Sequence, residues 1–208
     1  MEQNTTTAGL RKETRRLTLA ALMVGLSALG AFIKIPGPLG SIAMDSCPGY
    51  LYASLCGPAA GAAVAFVGHL ASALTAGFPL GVPFHLLVAG EMALCASVYG
   101  AIGFSLEGFR DKKAKTGTEG KQGADQGGNQ EQPNTQVRVL PWIASGSVAF
   151  LLNGIGAPLV LAPWLGMGAV IPLIVPLLVA SFLNVAVALL ALKALDASGR
   201  LGSLRDLG

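Results

Sequence analysis

The sequence predicts an all-α membrane protein of six transmembrane helices, with N and C termini cytoplasmic and a ligand pocket toward the outer face. Three observations carry this expectation. Only 12% of the 208 residues are charged and 52% are hydrophobic, with mean hydropathy +0.61, where a soluble domain carries about 25% charged residues. Several apolar stretches approach the roughly 20 residues that cross a ~30 Å hydrocarbon core. The basic residues are segregated. With six crossings, of the 14 Lys and Arg only Lys34 falls on the side away from the chain ends, and the positive-inside rule makes the basic side the cytoplasm.

Residues 1–16 form a basic cytoplasmic N-tail with Arg11, Lys12, Arg15 and Arg16. The apolar run 17–33 is a short first helix. Ala28 and Ala31 imitate a signal-peptidase site, but the further spans that follow favour a retained helix. Ala21 and Gly25, four residues apart, make a shallow groove where another helix can approach closely. Residues 34–48 hold three prolines and read as a structured loop, ending at Asp45-Ser46, a pair that suits a helix N-cap. The stretch 50–55 is too short to span unless its helix starts near Asp45.

Gly57-Pro58 opens a third helix over 58–75, on which Gly61, Ala65 and Gly68 form a face of small residues. After a Gly/Pro turn at 77–83, a fourth helix runs from Pro83 to Phe104 or beyond, so that 17–109 holds four helices. Residues 110–138 are polar and without apolar periodicity, the composition of a flexible cytoplasmic linker. Residues 139–195 supply the fifth helix, bent or ended by Pro158 and Pro163, and the sixth. Residues 196–208 form a short cytoplasmic tail.

The stretch 68–91 holds both histidines, His69 and His85, and the carboxylate Glu91. Ionisable groups at bilayer depth are costly unless they face a partner or a water-filled cavity, which makes them pointers to function. The candidate substrate-binding residues are Asp45, His69, His85, Glu91, Asn153 and Trp164. Each has a plainer alternative. Asp45 would cap a helix or pair with Lys34 at the outer mouth, and His69 would be a satisfied interior group. Asn153 and Asn184 would join helices, Asn184 nearer the inside. Trp164 and Trp142 would sit in the two interfacial aromatic belts. His85 and Glu91, six residues apart, do not share a helix face.

Other chemistries find no motif. There is no P-loop, no His-Glu-x-x-His helix and no Gly-x-Ser-x-Gly elbow. Cys47, Cys56 and Cys95 have no metal-ligand spacing and read as small hydrophobes, so no metal and no cofactor is expected. The basic residues flank the membrane rather than forming a nucleic-acid patch, and no nucleic acid is expected.

The basic residues before Ala21-Leu22-Met23-Val24-Gly25, the Pro/Gly loop with Asp45-Ser46, and Gly57-Pro58-Ala59-Ala60-Gly61 resemble the substrate-binding S component of energy-coupling factor (ECF) vitamin transporters. The resemblance implies a subunit, not an enzyme, of a bacterial cell (inner) membrane that binds a vitamin-like small molecule outside. It implies two further kinds of partner, an ECF transmembrane coupling subunit and two ABC ATPases. The family's Ala-x-x-x-Ala docking groove maps to Ala21 and Gly25, the second alanine being replaced by Gly25. The linker is longer than the family's usual connection. The 77–81 turn with His85 resembles S components associated with cobalamin-precursor salvage. A second reading is a small membrane enzyme using Glu91 with His69 or His85 as acid and base, which requires both groups near a common reacting atom.

Overall fold

A computed structural model describes residues 2–37, 40–119 and 139–208. Helix α1 (Glu2–Gly30) leads into an antiparallel hairpin of β1 (Lys34–Gly37) and β2 (Gly40–Ala43). Then come α2 (Cys47–Cys56), α3 (Pro58–Thr75) and α4 (Val82–Glu119). After the break come α5 (Val139–Leu151), a π-helical turn (Leu152–Gly156), α6 (Ala157–Leu165), α7 (Met167–Ala197) and the short α8 (Leu201–Arg205). Four helical stretches are long and apolar enough to cross a membrane: 58–75, 82–109, 140–165 and 167–197.

Several expectations change. The loop 34–48 contains a β-hairpin, the one sheet among the described residues. The basic N-tail is helical from Glu2, and α4 continues to Glu119, taking in the first ten residues of the expected linker. Residues 120–138 of that linker lie outside the described residues. Pro163, expected to bend or end the fifth helix, lies inside α6. At Pro158 the missing N–H leaves the Gly154 carbonyl without its usual partner, and the preceding turn widens into the π-helical form.

The short helix α2 is the hub of the core. Its ten residues span only about 15 Å, and all from Pro48 to Cys56 are buried. Small residues allow that enclosure. A Cβ on Gly61 would collide with Ala53, one on Gly49 would reach Ala65, and one on Gly68 would meet the Ser27 side chain. The small-residue face on the third helix thus packs against both α2 and α1.

The far end of α2 is closed by the C-terminal tail. Gly208 lies against the Cys56 backbone, while Arg205 reaches Glu107 through Nη1 at 3.1 Å and Nη2 at 3.4 Å. Its guanidinium also lies over Phe104 and Trp142, 5.3 and 5.5 Å from the ring centroids. Trp142 is fully buried and donates Nε1–H to Glu107 Oε1 at 2.7 Å. It is therefore not an interfacial aromatic, because this acid supplies its polar end with a partner inside the fold. Arg205→Ala is expected to cost about 1–2 kcal/mol of stability, from the lost charge-assisted fork and stacking. Arg205→Lys should not restore it, since an ammonium lacks the fork; thermal melting of the purified variants checks both.

Candidate functional site

At the opposite end of the bundle, β2, the segment before α2, the end of α3, the start of α4, α6 and α7 enclose a cavity of about 160 Å³. The segment Met44–Ser46 does not stay at a surface mouth. It descends until Gly30 lies against the Met44 carbonyl and Asp45 stands beside His69, eleven residues along α3. Asp45 is accordingly neither a solvated loop acid nor a helix cap. Its side chain is 5% exposed, and α2 has no side-chain cap.

Three sequence-predicted residues meet in a row. His69 Nδ1 is 3.0 Å from Asp45 Oδ2, and His69 Nε2 is 3.2 Å from His85 Nδ1. An ionised carboxylate only accepts, so His69 Nδ1 carries the hydrogen toward Asp45. With His69 neutral, its Nε2 accepts from His85 Nδ1–H, which leaves a lone pair on His85 Nε2. That atom is buried and has no partner. The His85 ring is held by the edge of Phe78, 5.5 Å away between centroids. Phe78 sits at φ +50° between Gly77 and Gly81, both of positive φ. A bulky residue in that region is strained, and it persists where the surrounding fold fixes it.

Asn153, projected inward by the π-helical turn, donates Nδ2–H to Ser46 Oγ at 3.4 Å and lines the cavity. Asn184 lines it too, contrary to its expected position nearer the inside. Its Oδ1 accepts the Cys47 N–H at 2.8 Å, and its Nδ2–H goes to the Ala180 carbonyl at 2.9 Å. The segment before α2 dips to the depth of Asn184, which counting along α7 alone did not reveal. Ser46, Ser72 and Met92 are further wall residues that the sequence reading missed.

Two candidates stand apart from the wall. Glu91 is 8% exposed and is not among the residues lining the cavity; its Oε1 accepts Cys95 Sγ–H at 2.8 Å while Oε2 is unpartnered. The i, i+4 spacing of Glu91 and Cys95 was the available signal for that pair. Trp164 is 60% exposed and does not line the cavity, because α6 continues helically through it to Leu165. Ala21 and Gly25 are both on the exposed side of α1, and a Cβ on Gly25 would meet nothing within 4 Å. Ala21 helps line a shallow groove with Ala60, Ala63 and Val67 of α3. Among the described residues no cluster of His, Cys, Asp and Glu is arranged to hold a metal.

A bundle of apolar helices around a partly open cavity, with a few polar groups converging on it, is the build of a membrane-embedded binding protein. Residues 15–195 match the family model "ECF transporter, substrate-specific component", and the chain belongs to that family. A solved structure described as the S component of a bacterial ECF transporter has the same fold. Its TM-score is 0.55 at 18% identity, covering 88% of this chain and 96% of that one. No curated protein matches the chain in sequence.

Proposed function

We propose that this S component captures a vitamin or vitamin precursor outside a bacterial cell and presents it to an ECF transmembrane coupling subunit driven by two ABC ATPases. The cavity beside Asp45, His69 and His85, at the bundle end away from Arg205 and Gly208, carries this reading. In it the apolar part of α1, and α2 together with the hairpin, complete six crossings beside the four long apolar stretches. The segregated Lys and Arg set both ends in the cytoplasm. Asp45, His69, His85 and Asn153 bind the substrate, Glu91 supports the wall from behind, and Trp164 faces the membrane boundary. A cobalamin precursor remains a substrate candidate, of which a cavity of about 160 Å³ would seat only one part.

The enzyme alternative has lost its geometry. Glu91 is not on the cavity wall, and among the described residues no hydrogen bond joins it to either histidine. The exposed Ala21 and Gly25 face supports docking of the coupling subunit. Gly25→Leu is expected to leave substrate binding by the purified subunit within about 2-fold of the parent, because nothing in the fold meets that position. It should block uptake in cells, because a bulky side chain fills a surface where helices approach closely. Binding on purified protein and uptake of labelled substrate, measured side by side, test the reading; undiminished uptake removes this docking surface.

A further inference from the structure

The composition of the cavity wall discriminates among ligand chemistries. Among the described residues that line it there is no Lys or Arg, while Asp45 brings a formal negative charge. Ser72, Ala73 and Ala76 bring the C-terminal end of α3, whose carbonyls also carry partial negative charge. The helix N-termini offer little in return. The first N–H of α2 is already given to Asn184, and Pro83 in the first turn of α4 has no N–H to give. An anion placed here would be desolvated beside the Asp45 carboxylate, with no Lys or Arg among the described lining residues to offset it.

Volume narrows the class further. An apolar cavity of about 150 Å³ accepts a benzene-sized guest, and this one is about 160 Å³. Its wall is largely aliphatic, from Val88, Met92, Leu161, Leu173 and Leu177, which suits one ring with few substituents. The polar demand comes from His85. With His69 neutral and its Nδ1–H given to Asp45, His85 donates through Nδ1 and its Nε2 is a buried acceptor without a donor. A buried polar atom left unpaired is costly, so a guest that donates to it gains what a non-donor forfeits.

Resting on the capture reading above, we propose that the substrate is a neutral or cationic single-ring compound that donates an N–H or O–H to His85 Nε2, and that the site rejects carboxylates and phosphates. The test screens matched probes against the full chain by thermal shift and calorimetry: nicotinamide, N,N-dimethylnicotinamide and nicotinate; benzylamine and benzoate. Small molecules that co-purify are identified by mass spectrometry. The expected result is at least 10-fold tighter binding of a donor-bearing, non-anionic member than of its carboxylate or N-methylated counterpart. His85→Phe, which keeps a ring against Phe78, should erase that preference with the melting transition retained.

Three results overturn the assignment: tighter binding or co-purification of a carboxylate or phosphate, an unchanged donor preference in His85→Phe, or no binding by any donor-bearing probe. Co-purification with the coupling subunit is scored in parallel. If the complex assembles and an anion is the ligand, the capture reading stands and the substrate class falls. If the complex does not assemble and nothing binds, the capture reading itself fails, and the substrate class with it.

Discussion

His69→Ala is expected to abolish ligand capture, with at least 100-fold weaker binding, and to destabilise the protein by about 3 kcal/mol. Among the described residues, His69 alone hydrogen-bonds both Asp45 and His85. Removing it leaves a carboxylate that is 5% exposed without its partner and frees the Nδ1 that it held on His85. Each buried polar group so orphaned costs about 1–3 kcal/mol, more when charged. The binding loss follows because the orientation of His85 Nε2 is no longer set. Asp45→Asn combined with His69→Ala should cost less than the sum of the two single changes, because the amide removes the stranded charge. Additive melting shifts in this cycle, or intact binding by His69→Ala, would show that the row of three side chains does not organise the site.

Gly61→Ala and Gly25→Ala should shift stability in opposite directions. Both glycines are in helix interiors, where alanine is ordinarily favoured by about 1 kcal/mol. Gly25 realises that gain, since its added methyl meets no atom within 4 Å. Gly61 does not, because its methyl would be driven into both the side chain and the backbone of Ala53 on the fully buried α2. Overpacking of this kind costs about 1–3 kcal/mol and here acts through backbone, which cannot rotate aside. A net loss of about 2 kcal/mol for Gly61→Ala is expected, read as a lower melting temperature beside a raised one for Gly25→Ala. Because α2 follows directly on Ser46 and Asp45, Gly61→Ala should also weaken ligand binding. A Gly61→Ala protein as stable as the parent would mean that α2 and α3 are not in such close approach.

How much of this was legible in the chain differs from residue to residue. Gly61, Ala65 and Gly68 announced a close-packing face by spacing alone, and they do pack against Ala53, Gly49 and Ser27. The third helix runs over Pro58–Thr75 as its Pro and Gly signals require. His69 and His85 were marked by the cost of imidazole among alanines and leucines, and they meet. Asp45 was marked too, but placed at the wrong depth. The aromatic-belt rule places Trp142 at an interface, whereas its Nε1–H goes to Glu107, 35 residues away. Asn184 was set too deep for the site, and its partner Cys47 is 137 residues away.

The sequence by itself determined the membrane class and the long apolar helices, and it marked the ionisable side chains among them. Those follow from local quantities: hydropathy, the charge flanking each span, Gly and Pro punctuation, and the desolvation cost of each ionisable side chain. Only the tertiary structure decided which groups meet. Periodicity fixes depth along one helix, but the relative depth of two elements depends on how far glycine and alanine let their backbones slide together. That approach sinks α2 into the bundle, carries Asp45 down to His69, and leaves Glu91 paired with Cys95 behind the wall.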